Sequence, residues 1–373
     1  MPKAARSTPR RLDQLDKNFQ VKSAGRGLKW VDAFDCQLCL RGLAWPAENR
    51  KQKNFRRLPD RAEAGLSEGV RILSHCPSSV FLSFFTNSTA ISVRLTVADL
   101  NQMNLMPATG MSGTELYFRE GPAWHPVATA APSLTETSFT CVLTEGAPRR
   151  HREYRLYLPL YKKVESVALG FEPSATVEPA PAPKSQRPIF FYGTSITQGG
   201  CANTAGSDYV STIGRLLDTE VVNFGFSGSG KGEPEVARLI REVRAEMFVL
   251  DHFTNCKLET LADMLLEFVR ILREKHPVTP IVLISCPAFN QILWNAKTRG
   301  IYEQKRDIVM RFYLQAKKSK DANIHYIDGP GLLPAGLTGT YVDGIHPTSA
   351  GFALFAERLA QQLHSGLSDN RRS

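Results

Sequence analysis

From residue 188 onward, short continuous apolar runs alternate with stretches whose apolar residues recur every three or four positions. The runs Pro188–Tyr192, Glu220–Asn223, Met247–Asp251, Pro280–Ser285 and Ile324–Ile327 carry almost no polar face, as parallel strands covered on both sides do. Between them, Leu258, Leu261, Ala262, Leu265, Val269 and Leu272 fall on one helical face, and so do Phe352, Phe355, Ala356, Leu359 and Leu363. The pattern predicts a doubly wound α/β domain over 188–365, built on a five-stranded parallel sheet. Such sheets bind ligands beyond the carboxyl ends of their strands, where strand order reverses.

Upstream the grammar differs. Ser79–Phe85, Ala90–Val97, Glu115–Phe118, Ser138–Leu143, Glu153–Leu158 and Ser166–Phe171 are short, rich in Val, Phe, Tyr and Thr, and divided by Gly, Pro, Asn or Ser. They predict an antiparallel, jelly-roll-like β-sandwich over 25–172. The Pro/Ala-rich stretch 173–187 is expected to be an irregular linker, because proline lacks a donor and fixes its own φ. A basic tail (1–24) and a polar tail (366–373) flank the two domains.

Size and composition fit that division. A chain of 373 residues, 42% hydrophobic and 22% charged, suits two globular domains. No run of eighteen apolar residues is present to span a membrane, and the basic N-terminus lacks the apolar centre of a secretory signal. A cytoplasmic protein is expected. Seven scattered cysteines, an odd number, point to reduced thiols, and the lone pair Cys36/Cys39 lacks the partners a zinc site needs. The net charge of +10 is concentrated in the first residues and around Arg50, Lys51, Lys53, Arg56 and Arg57. With little aromatic interleaving and no DNA-reading motif, this cluster is expected to be solvated surface, with neither nucleic acid nor membrane as partner. Nothing in the pattern sets an oligomeric state.

The chemistry lies at the carboxyl edge of the predicted sheet. Ser195 follows the first strand on a small-residue turn, while Asp343 and His346 lie in the last loop before the final helix. Hydroxyl, imidazole and carboxylate are the equipment of acyl transfer through a serine ester. Pro347 biases His346 toward extended backbone, leaving Thr348 or Ser349 to cap the helix. Donors for a developing oxyanion are available from the Ser195 N–H, from the glycine loop Asn223–Gly230, and from the Asn255 side chain after the third strand. No metal or organic cofactor is needed. The loop 286–300 follows the fourth strand, with Phe289 and Trp294 expected to wall an acyl or alcohol pocket.

Here the chain resembles the SGNH (GDSL-like) hydrolases, whose four blocks map in order onto Gly193-Thr-Ser195, Phe226-Ser-Gly228, Thr254-Asn255 and Asp343-x-x-His346. The resemblance implies Ser195 as nucleophile, His346 as base, Asp343 as its orienter, and Ser195, Gly228 and Asn255 as the oxyanion hole. Thr194 replaces the aspartate of the usual GDS, and Phe253 and Cys256 stand where Gly and Asp are customary. The N-terminal half is similar to the sandwich, named for a GxDLY motif, that precedes some of these enzymes. Here the motif is Gly113-Thr-Glu115-Leu-Tyr117. Such enzymes are carbohydrate-directed esterases, and some relatives transfer acyl groups to alcohols.

The expected activity is therefore cleavage of a small acyl ester, with acetyl on a carbohydrate the family-level expectation, or transfer of that acyl group to an alcohol. Ordinary structural roles compete at several positions: helix cap for Ser195, tight turn for Gly228 and Gly230, cap near Leu258 for Asn255, and a structural role for His252. A nucleotide-binding rival rests on Gly225–Gly232, which matches seven of eight P-loop positions but has Gly232 in place of the magnesium-binding hydroxyl. A non-catalytic binding module is the third reading.

Overall fold

The computed structural model describes residues 15–16, 27–62, 65–181, 185 and 187–370, with side chains of the last helix described to residue 364. Most of the expected basic tail, residues 182–184 and 186 of the expected linker, and 371–373 lie outside them.

The N-terminal half is a sandwich of two antiparallel sheets. One has the order β1-β9-β4-β7, from Lys29–Asp32, Val164–Phe171, Ile91–Val97 and Ser138–Thr144. The other runs β10-β3-β8-β5-β6, from Val177–Pro179, Phe81–Thr86, Arg152–Tyr157, Thr114–Glu120 and Ala123–Ala130, with β2 (Cys39–Arg41) also paired to β3. Alternating inward residues such as Val93, Leu95, Leu116, Leu156 and Leu169 fill the space between them. The sequence pattern missed β1, β2, β6 and β10. Two of these contain proline, Pro126 in β6 and Pro179 in β10, and both lie at an end of the sheet order, where a missing N–H costs no ladder bond. The stretch expected to be wholly irregular therefore supplies one short edge strand.

The C-terminal half is the five-stranded parallel sheet, with β11 (Ile189–Gly193), β12 (Val221–Gly225), β13 (Met247–Asp251), β14 (Ile281–Ile284) and β15 (Ile324–Ile327) in the order β12-β11-β13-β14-β15. The order reverses at β11, so its carboxyl end is the switch point. Alternation along β11 sends Phe190 and Tyr192 into the apolar layer on one face and Ile189 and Phe191 into the layer on the other. The last helix, Ser349–Asn370, packs Phe352, Phe355 and Leu359 onto the second face and continues past residue 365.

One finding departs from a simple two-domain picture. Leu58 and Val70, with Trp45, Leu66 and Leu73, belong to the apolar layer of the α/β half. The charge cluster in this segment is accordingly split. Arg50, Lys51 and Lys53 are exposed, whereas Arg56 and Arg57 are 3% and 1% exposed. The expectation of a wholly solvated surface is corrected: Arg57 donates to the carbonyls of Leu73, Cys76, Asn223 and Gly225, at 2.6 to 2.8 Å. Among the described residues no helix is long and apolar enough to cross a membrane, and no group of three His, Cys, Asp or Glu could hold a metal ion.

Candidate active site

Ser195 opens a one-turn helix, Ser195–Gln198, directly after β11. Thr194, where aspartate is customary, is the cap: its hydroxyl accepts from the Ile196 N–H, and its own N–H donates to Thr197 Oγ1 at 3.2 Å. Ser195 is thus free of capping duty. The turn is tight because Gly193 carries no side chain; a Cβ there would sit 1.9 Å from Thr197 Oγ1. Below it, Thr197 and Tyr209 donate to the buried Asp251 carboxyl, which burial pushes up to about 7 despite these two hydrogen bonds.

Opposite lies a compact turn in which the Val342 N–H donates to the His346 carbonyl and Tyr341 bridges to Pro347. Gly344 makes the reversal at φ +82°. Asp343 Oδ1 accepts from the N–H groups of Ile345 (2.9 Å) and His346 (2.7 Å), and Oδ2 meets His346 Nδ1 at 2.8 Å. Burial works to raise the Asp343 carboxyl, but these bonds outweigh it and hold it below the usual value. His346 Nε2 then meets Ser195 Oγ at 2.8 Å. An ionised carboxylate on Nδ1 selects the tautomer that leaves Nε2 free to accept the serine proton. The His346 and Asp343 side chains keep 26% and 21% exposure, so the relay is open to solvent and substrate. Thr348 caps the following helix through the Gly351 N–H.

The two donor loops leave the strands on either side of β11, where Gly225, Gly193 and Asp251 are in register. Gly228, exposed and at φ +64°, crowns a turn in which the Ser229 and Gly230 N–H groups return to the Phe226 carbonyl. Gly230 is required for close approach, since a Cβ would lie 2.0 Å from the Gly193 carbonyl oxygen. Asn255 ends a short 3-10 turn, Phe253–Asn255, whereas the next helix begins at Leu261 with Thr260 as its cap. The capping role is therefore not its own. Its Nδ2 is buried and donates to no protein group, an arrangement that costs stability unless a ligand accepts the bond.

Other readings fare differently. In the P-loop-like stretch, the N–H groups of Ser229, Gly230, Lys231 and Gly232 donate to Phe226, Glu233 and the Tyr192 hydroxyl. None of these four is left to cradle a phosphate, and the nucleotide-binding reading is set aside. His252 is fully buried against Tyr192, Phe253 and Phe268, and burial pushes its imidazole down to about 3. Phe289 is corrected: at 2% exposure, packed on Tyr302, it belongs to the core and presents no pocket surface. Trp294 is 70% exposed at the end of the short turn Asn290–Leu293. That loop supports the Asp343 turn instead, through the Asn290 N–H on the Gly344 carbonyl.

The supporting roles of several residues escaped sequence reasoning. Gln198 Oε1 accepts from the Ser227 N–H at 2.9 Å. Lys305, 7% exposed, donates to the Thr254 carbonyl at 2.8 Å. The Cys256 thiol donates to the Lys231 carbonyl, tying the two donor loops together at a position where aspartate is customary. Glu115 and Tyr117 of the GxDLY-like motif grip Gly206, Glu115 by accepting its N–H at 2.9 Å and Tyr117 by its ring. Ser207 next to it meets Ser349, the first residue of the last helix, at 2.7 Å. Lone polar residues of this kind carry no periodic signal.

Residues 186–364 match the model of the GDSL-like Lipase/Acylhydrolase family, and residues 28–177 match the N-terminus of Esterase_SGNH_hydro-type. Among solved structures, a protein described as a GDSL-like lipase from Bacteroides ovatus is 27% identical, with a TM-score of 0.84 over 92% of this chain and 98% of that one. The salicylyl-acyltransferase SsfX3 from a tetracycline biosynthetic pathway is 23% identical, with a TM-score of 0.72 over the same shares of the two chains. A family two carbohydrate esterase from Clostridium thermocellum shares the fold at 18% identity and a TM-score of 0.56, over 78% of this chain and 93% of that one. No curated protein matches significantly in sequence. The C-terminal half is a domain of the GDSL-like lipase/acylhydrolase family, preceded by the N-terminal domain of SGNH-hydrolase-type esterases, and the chain is an ester hydrolase.

Proposed function

We propose that this chain is a serine esterase that cleaves a small acyl ester through an acyl-enzyme on Ser195. The observation that carries the reading is the continuous relay Ser195 Oγ, His346 Nε2, His346 Nδ1, Asp343 Oδ2, with 2.8 Å at each junction. Ser195 Oγ attacks the acyl carbon while its proton passes to His346 Nε2, and Asp343 stabilises the imidazolium. The oxyanion that forms is met by the N–H groups of Ser195 and Gly228 and by Asn255 Nδ2. Collapse expels the alcohol, which takes the proton from His346. Water, activated by the same imidazole, then attacks the ester on Ser195 and releases the acid. An alcohol in place of water gives acyl transfer by the same steps, so hydrolase and acyltransferase differ here only in the acceptor.

An acetylated sugar is the first substrate to try, since a carbohydrate esterase shares the fold. Wild-type protein is expected to release p-nitrophenol from p-nitrophenyl acetate, and Ser195→Ala to lose that activity by at least about 10⁴-fold. Equal, background rates for both proteins would sink the assignment. A panel of acyl chain lengths and acetylated sugars, run with and without added alcohol, then separates substrates and acceptors.

A further inference from the structure

Gln198 closes the one-turn helix that Ser195 opens, and its side chain is fully buried. Its amide joins two main-chain groups from different parts of the molecule: Nε2 donates to the Leu160 carbonyl at 3.3 Å, and Oε1 accepts from the Ser227 N–H at 2.9 Å. The polarity of this bridge is fixed, because a carbonyl can only accept and an N–H can only donate. Leu160 is itself held on the sandwich side. It lies between β8 and β9, its N–H donates to the Gly110 carbonyl, and its carbonyl also accepts from Ser78 Oγ at 2.7 Å. Its neighbour Tyr161 donates its hydroxyl to the Ser195 carbonyl at 3.3 Å, at the other end of the same helix. From the far side the end of β12 presses on that helix: a Cβ on Gly225 would lie 2.1 Å from the Gln198 main-chain nitrogen, so no side chain separates them.

The bridge also decides which donor of the loop is left over. Among the described residues, Phe226 donates its N–H to the Gly193 carbonyl, Ser227 to Gln198, and Ser229 and Gly230 to the Phe226 carbonyl. Within the loop Phe226–Gly230, the remaining N–H is that of Gly228, the exposed residue at φ +64°. We propose that Gln198 is a positioning residue: its amide, oriented by a carbonyl of the sandwich, holds the Ser227 N–H and so aims the next N–H in the chain, that of Gly228, at the oxyanion on Ser195. The inference rests on the esterase reading and gives a role to a residue outside the four mapped blocks. Peptide planes are rigid, so only the two dihedrals of Ser227 separate the held N–H from the aimed one. Such aiming acts on the transition state and not on ground-state binding, because the oxyanion exists only there.

Gln198→Met keeps the bulk and removes both bonds. With p-nitrophenyl acetate, kcat is expected to fall about thirtyfold, less than the roughly 10²–10³ of deleting an oxyanion donor because the Gly228 N–H is misaimed and not lost, with KM changed by less than about twofold. Affinity for a boronic acid that mimics the tetrahedral intermediate should fall by the same factor. Gln198→Glu should recover most of the activity at about pH 6, since a buried carboxyl stays protonated and can both donate to Leu160 and accept from Ser227. Where Gln198→Met does not fold, Gln198→Asn, too short to join the two groups, takes its place with the same expectation. Full kcat in the folded variant, with Ser195→Ala inactive, would overturn the aiming role and leave the esterase reading standing. So would a defect confined to KM or to Tm, or no recovery in Gln198→Glu. Activity retained by Ser195→Ala would overturn both.

Discussion

The two sides of Ser195 are built in opposite ways. On the base side, the bonds that Asp343 makes to orient His346 join residues no more than three apart, and both side chains stay partly exposed. On the donor side, the loops are held from far along the chain. Arg57 grips the Asn223 and Gly225 carbonyls, the Tyr161 hydroxyl donates to the Ser195 carbonyl, and Lys305 holds the Thr254 carbonyl. A base needs only the right tautomer and direction, which a short motif can supply. An oxyanion hole needs several donors to converge within a few tenths of an ångström, and packing from both halves of the molecule supplies that. Arg57 shows the scale of the investment. It is a buried cation satisfied by carbonyls alone, and burial draws it down to about 10 against the pull of neighbouring groups.

The contrast can be broken at graded strengths. Asp343→Asn should cost most, about 10⁴ in kcat, because an amide no longer selects the tautomer, while thermal stability stays near wild type; turnover together with Tm checks both. Asn255→Ala should lower kcat by roughly 10²–10³ and leave the unfolding midpoint unchanged or slightly raised, since its Nδ2 is satisfied by no protein group. A loss of stability with normal turnover would mean that Asn255 is structural. Arg57→Lys strikes the donor side at a distance. It leaves main-chain carbonyls without partners, so it should cost about 3 kcal/mol in urea unfolding and lower kcat more than it raises KM.

The smallest effect concerns His252, beneath the donor loops. Its folded-state value of about 3 lies below the ordinary 6.5. The stability it contributes is therefore present above pH 6.5 and lost as pH falls toward 3, because the unfolded chain gains the proton first. Going from pH 7.5 to pH 5 should cost about 2 kcal/mol through this group, and His252→Phe should flatten that slope. Parallel unfolding curves for the two proteins at both pH values would refute the account.

Much of the molecule was legible along the chain because its signals are local. Continuous apolar runs marked all five parallel strands, and Met247–Asp251 and Ile324–Ile327 agree to the residue. Asp343, Gly344, His346 and Pro347 announced a turn whose geometry depends on its own neighbours. The order of strands around β11, by contrast, the burial of Arg57, the reach of Tyr161 and the removal of Phe289 from any pocket were settled only in three dimensions. Each depends on which distant surface a segment meets, and one residue's polarity does not reveal that. Arg50 and Arg57 are alike as letters in a basic cluster. One lies in water and the other among carbonyls, because the chain between them turns into the core of the opposite half.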